Sequence, residues 1–128
     1  MDDRRLIKEA FAARENSYSP YSGFRVGAAL LCGDGHVYTG CNIENRAYGP
    51  TNCAERTAFF KAVSEGKRDF LAIAIVGGSD DPVWCYPCGV CRQVMAEFCD
   101  PEQFRIICAL SEDEYKIYTL GELLPEMF

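Results

Sequence analysis

The apolar positions of this chain change period several times, and each change marks an element. Over 5–15 (RLIKEAFAARE) Leu6, Ile7, Ala10, Phe11 and Ala13 recur at helical spacing. The run RVGAALLC over 25–32 is apolar and of strand length, and Gly33-Asp34-Gly35 turns the chain into a second, antiparallel strand over 36–42. Asn52 is placed to cap a helix reaching about Ser64, with Ala54, Ala58, Ala62 and Val63 on its inner face and Gly66 closing it. FLAIAIV over 70–76 is apolar at every position, as in a strand covered on both faces. A loop over 77–87 leads into a helix that begins at Cys88 and runs to about Phe98. FRIICAL over 104–110 reads as another buried strand, followed by a short polar strand and a terminal LGELLP turn.

Strands and helices therefore alternate. The pattern predicts an α/β fold, a three-layer α/β/α sandwich around a mixed five-stranded sheet, with a hairpin first and parallel crossovers after it. A single domain spanning 1–128 is expected, with no repeat, linker or low-complexity segment. Crossovers of this kind gather helix starts at the carboxyl edge of the strands, where such sheets bind ligands.

Charge and cysteine content narrow the chemistry. The formal net charge of -6 argues against a nucleic-acid partner, which needs a clustered basic face, and favours a small neutral substrate. Arg4, Arg5 and Lys8 are interleaved with acids and read as a solvated helix face. The start, MDDRRLIKEAF, is no secretory signal, and no run is long enough to cross a bilayer, so a cytoplasmic protein without a membrane partner is expected. In that reducing compartment the eight cysteines point to metal or redox chemistry rather than disulfides. Cys32, Cys41, Cys99 and Cys108 have apolar surroundings and read as small hydrophobes, and His36 beside the turn reads as solvated.

The chemistry concentrates in two short motifs, Cys53-x-Glu55 and Pro87-Cys88-Gly89-Val90-Cys91. Cys88 and Cys91, three apart at a helix start, can turn both sulfurs to one ion, and Cys53 from another helix start completes a three-thiolate zinc site whose fourth position is left for water. Three thiolates form a negative cluster, which the two helix amino termini and hydrogen bonds from Arg56 and Arg92 would offset. Glu55 lies two residues from Cys53, off the ligand face, and is placed to reach the open position as general acid and base. Two rival readings use the same stretch. Trp84-Cys85-Tyr86-Pro87-Cys88 mimics a thioredoxin-like dithiol, and Cys85 could close a four-cysteine structural zinc site.

TNCAERTA around Cys53 and PCGVCRQ around Cys88 resemble cytidine deaminases of the short, homotetrameric, zinc-dependent type, and YSPYSGFRVGAAL from Tyr18, GCNIEN from Gly40 and the terminal ELLPEMF extend the likeness over nearly the whole chain. The resemblance implies one zinc ion per chain on Cys53, Cys88 and Cys91, with Glu55 moving protons while hydroxide attacks C4 and ammonia leaves. Cytidine, and with it 2′-deoxycytidine, would become uridine or deoxyuridine in pyrimidine salvage. It further implies that Asn42 and Glu44 hold the ribose hydroxyls, that Phe24 packs on the base and that the Ala54 backbone meets the base edge. Phe128 would reach a neighbouring subunit's pocket, with Tyr48 near the same junction, in a homotetramer with shared sites. The residues alone would make Phe24 core and Phe128 a frayed end. A deaminase of an aminopyrimidine antibiotic has a similar pattern, but the NIEN segment favours a nucleoside. The chain departs from the family pattern at Arg46, at Gly49-Pro50 and at Tyr86, where serine is common.

Overall fold

Five strands form one sheet in the order β2-β1-β3-β4-β5 in the computed structural model, which describes residues 1–128. Along the chain the elements are α1 (Asp3–Arg14), β1 (Arg25–Cys32), β2 (Val37–Cys41), α2 (Ala54–Ser64), β3 (Phe70–Gly78), α3 (Gly89–Phe98), β4 (Arg105–Ala109), β5 (Tyr115–Thr119) and α4 (Leu120–Leu123).

The hairpin β1-β2 is followed by two parallel crossovers, β2-α2-β3 and β3-α3-β4; among neighbours only β3 and β4 pair in parallel, β1 being antiparallel to both β2 and β3, and β5 to β4. The reason lies in α2, which leaves edge strand β2 and returns the chain on the far side of β1. Strands β2, β3 and β4 consequently run in one direction, and α2 and α3 start at the same sheet end. The two crossovers thereby produce the site-bearing edge that the sequence pattern predicts.

Helix α1 covers one face, with Leu6, Ile7 and Ala10 buried against Ala29, Leu31, Ala72, Ala74, Val76 and Ile107. Helices α2 and α3 cover the other, where Phe59 and Met95 pack on Leu30, Ile73, Ile75 and Ile106. These layers explain why β3 is apolar throughout: both of its faces are roofed. No helix is long and apolar enough to cross a membrane.

Two contacts fix the end of the sheet that matters. A Cβ at Gly40 would come 2.4 Å from the Ala54 carbonyl oxygen, so the missing side chain lets the first turn of α2 lie directly on β2. Arg14 is 6% exposed and donates through Nη2 to the carbonyls of Gly78 (2.7 Å) and Asp80 (2.9 Å) and through Nε to that of Arg25 (3.3 Å). It ties the end of α1 to the start of β1 and the end of β3.

Candidate metal and catalytic site

The metal-type cysteines stand at the helix caps. Cys53 is the N-cap of α2 and Cys88 that of α3, both with extended backbone, and the Cys88 Sγ accepts from the Cys91 N–H at 3.5 Å. Asn52, expected to cap α2, instead pairs its backbone with Ile43 and donates its side-chain amide to Thr57 Oγ1 at 3.2 Å. The helix starts one residue later than the sequence suggested because the short bridge to Ile43 holds Asn52 extended.

The sulfurs of Cys53, Cys88 and Cys91 all lie within 4.8 Å of one another, with Cys53 and Cys88 3.7 Å apart. Thiolates about 2.3 Å from a tetrahedral zinc ion sit roughly 3.8 Å apart, so the donor set and its spacing fit that ion. Arg56 Nη2 donates to the Cys53 sulfur at 3.2 Å, as anticipated. Cys53 is held down to about 5, first by the hydrogen bond from Cys91 and then by Arg56 and Cys88, while Cys91, the donor, is pushed up. Arg92 does not serve the sulfurs: its Nε donates to the Pro87 carbonyl and its Nη1 to that of Leu123, each at 2.7 Å. Its position turns it toward the loop and α4 rather than the cluster.

Glu55 is 3% exposed and lies one residue into α2, lining a cavity of about 170 Å³ together with Cys53 and Cys88. Burial pushes its carboxyl group up to about 7, and the nearby Cys53 charge adds to the rise. A carboxyl group that can hold or release a proton near neutrality thus faces the same space as two of the three clustered cysteines, Cys53 and Cys88.

Asn42, Glu44 and Ala54 line that cavity, with Val26, Thr51, Asn52, Cys85 and Tyr86. The Asn42 amide is a junction: its Oδ1 accepts from the Val26 N–H at 2.9 Å and from the Ser17 hydroxyl, and its Nδ2 donates to the Phe24 carbonyl at 2.7 Å. One amide N–H stays uncommitted. Glu44 Oε1 accepts from the Tyr21 and Ser22 N–H groups at 3.0 and 3.1 Å, and Oε2 from the Ser22 hydroxyl. These bonds draw the loop before β1 onto the loop after β2 and depress the Glu44 pKa, chiefly through Ser22.

Phe24 is half-buried against the core and Gly77, beside the cavity rather than among its lining residues. Tyr48 is 82% exposed, with a positive φ of 62°, in a shallow pocket that shares Glu44 and Thr51 with the main cavity; Phe128 is fully exposed at the end of the chain. Neither reaches the cavity of its own chain. Val26 and Thr51 were missed from sequence, the first because it reads as core and the second because it carries no chemistry of its own, although it opens the TNCAERTA motif.

Both rival readings of the cysteines lose their footing. Burial pushes the Cys85 thiol up to about 12, the reverse of what an attacking dithiol needs, and Cys85 stands outside the three-sulfur cluster. A wider depression of about 520 Å³ along α1, lined by Arg4, Arg5, Lys8, Asp2, Glu9 and Glu112, is a mixed-charge surface with a Lys8–Glu112 ion pair. It has no convergent chemistry.

Residues 1–108 match the family model described as the cytidine and deoxycytidylate deaminase zinc-binding region. The chain belongs to that deaminase family. A cytidine deaminase of Halalkalibacterium halodurans is 56% identical over all of this chain and 95% of its own length. Among solved structures, a cytidine deaminase from Burkholderia pseudomallei shares 47% identity with full coverage of both chains and a TM-score of 0.90. One from Mycobacterium tuberculosis shares 41%, covering all of this chain and 98% of its own, at 0.85. The mixed five-stranded sheet with helices on both faces is thus the deaminase fold, and the cofactor of the family region is zinc, for which the cysteine cluster supplies a site for one ion.

Proposed function

We propose that this deaminase converts cytidine and 2′-deoxycytidine by hydrolysis to uridine or deoxyuridine and ammonia, as a cytosolic enzyme of pyrimidine salvage. The carrying observation is a buried carboxyl group, Glu55, poised near neutrality in the cavity that Cys53 and Cys88 of the sulfur cluster border.

In this reading Cys53, Cys88 and Cys91 hold the zinc ion, which when bound supplies a Lewis acid that makes water acidic enough to attack at neutral pH. Glu55 takes one proton from the attacking water and delivers it to the ring nitrogen, then takes the second and delivers it to the departing amino group, so that the oxygen stays on C4 and ammonia leaves. Burial serves this exchange by keeping bulk water from the proton and by holding both protonation states within reach. Arg56 draws charge from Cys53, so the sulfurs compete less with the water for the ion's positive charge. The Ala54 backbone at the cavity wall offers polar groups to the base edge, and Phe24 stands beside the cavity, where its ring backs the base.

Asn42 has one N–H, and the Glu44 carboxylate its remaining lone pairs, to offer a ribose hydroxyl. No lysine or arginine lines the cavity or the adjoining pocket, and Glu44 would repel a phosphate there. This supports a nucleoside over a nucleotide. The exposed Tyr48, Phe60, Val90 and Phe128, together with the buried, unpartnered Nε of Arg56, support a homotetramer whose subunits complete one another's sites.

The test follows the ultraviolet absorbance of cytidine with purified zinc-loaded protein and with Glu55→Ala. Conversion to uridine by the parent alone, with zinc retained in both, is the expected result. A zinc-loaded parent that leaves cytidine unchanged overturns the proposal.

A further inference from the structure

The cavity wall formed by Cys85 and Tyr86 leads directly into the cluster cysteine Cys88, yet none of residues 84–87 makes a backbone–backbone hydrogen bond. The nearest such anchors are the Val83 N–H on the Gly77 carbonyl at 2.8 Å and the Arg92 N–H on the Cys88 carbonyl at 3.0 Å. Side chains must therefore hold the segment, and they alternate. Cys85 lies inward on Gly77, where a Cβ would come 2.9 Å from its sulfur. Trp84 and Tyr86 engage edge strand β5.

On β5, Lys116 and Tyr118 share a face, being two residues apart. The Lys116 ammonium lies 4.3 Å from the centre of the Trp84 ring and donates to the Tyr86 hydroxyl at 3.5 Å. Tyr86 meets Tyr118 edge to face, with ring centres 5.9 Å apart. Lys116 has no carboxylate partner. The cation is held by the two aromatic residues that flank Cys85, while β5 is itself fixed in register on β4.

We propose that Trp84, Tyr86, Lys116 and Tyr118 form a clamp through which β5 positions the 85–88 wall, making Lys116 and Tyr86 positioning residues for Cys88 and for the substrate. The substrate half rests on the deaminase reading above; the metal half rests on the sulfur cluster alone.

The test uses the zinc-loaded protein and the variants Lys116→Ala, Lys116→Arg, Tyr86→Ala and the double alanine variant. Four quantities are read: the rate of zinc release to a chromogenic chelator, kcat and KM for cytidine, and the unfolding midpoint. Lys116→Ala should release zinc faster and raise KM by about two- to fivefold, the scale of an exposed cation–π contact. Lys116→Arg should restore both, since a guanidinium also stacks on Trp84. The double variant should be no worse than the worse single, because both residues act through one clamp.

Unchanged zinc release and KM in Lys116→Ala, with or without a lower midpoint, overturn the proposal. So do failure of arginine to restore and multiplicative effects in the double variant. If the zinc-release pattern holds while the parent leaves cytidine untouched, the clamp stands and the deaminase reading falls.

Discussion

Glu55 should be a stabilising residue to lose and a catalytic residue to lose at once, with the first effect depending on pH. Its folded pKa of about 7 lies above the ordinary 4.5, so the folded protein binds a proton that the unfolded chain releases between those values. Stability consequently falls as pH rises from about 4.5 to 7, and the whole penalty is present above 7. At roughly 1.36 kcal/mol per pKa unit, the gap amounts to about 3 kcal/mol. Glu55→Gln keeps the shape and hydrogen-bonding character of the protonated acid and escapes that penalty. Metal-stripped Glu55→Gln should be more stable than the stripped parent by about 3 kcal/mol at pH 8, with the difference vanishing toward pH 4.5. In the zinc-loaded pair the gain should keep its sign but shrink, because the ion's charge favours the carboxylate. Deamination should meanwhile fall by about 10²-fold or more. Urea unfolding at pH 8, 6.5 and 5 measures the first effect. A variant less stable than the parent at pH 8, or a difference that ignores pH, would refute the reasoning.

Other outcomes follow from single contacts. Cys85→Ser should retain zinc, read by chelator titration, since Cys85 lies outside the sulfur cluster; loss of the ion would restore the four-cysteine reading. Arg14→Met strands the three carbonyls that Arg14 serves and should cost about 3–5 kcal/mol in denaturant unfolding, hydrogen bonds to a charged group being the stronger class; a loss below about 1 kcal/mol would show that water replaces the guanidinium. Asp34 is held down to about 2 from the usual 3.8, chiefly by Lys67 and by the His36 backbone N–H, so it stabilises the fold above pH 3.8 and loses that effect as pH falls toward 2. Asp34→Asn should be less stable than the parent at pH 6 and equal to it near pH 2 in thermal scans; a difference that persists in acid would mean the carboxylate charge is not the cause.

What the sequence disclosed followed from where its signals are local. The stripe of α1, the Gly33-Asp34-Gly35 hairpin and the buried run of β3 were legible because periodicity and turn chemistry act within a few residues. The pairing direction of β1 with β3 was not, since it depends on α2 carrying the chain past β1, which no local pattern encodes. The same division runs through the site. The three cysteines and Glu55 announced themselves by type and spacing, and Arg56 by its neighbour. Arg92 was the weaker candidate of the two arginines, and its side chain serves the carbonyls of Pro87 and Leu123, partners set by packing against α4. Asn42 and Glu44 entered through family likeness alone, and only the fold shows why the loops need them: each stitches the stretch before β1 to the stretch after β2.

The common start of α2 and α3 at one sheet end bears on how the protein acquires its ion. Both helices are anchored by a shared apolar cluster that includes Phe59, Ile73, Ile75, Met95 and Ile106, and the ligand Cys91 is itself packed into it. Oil-like cohesion thus holds the two ligand-bearing helix starts together, in contrast to a zinc finger, where capture of the metal drives the ordering of the chain. Little disorder remains for the ion to remove, so occupancy can follow cellular zinc supply without the polypeptide unfolding and refolding around each exchange.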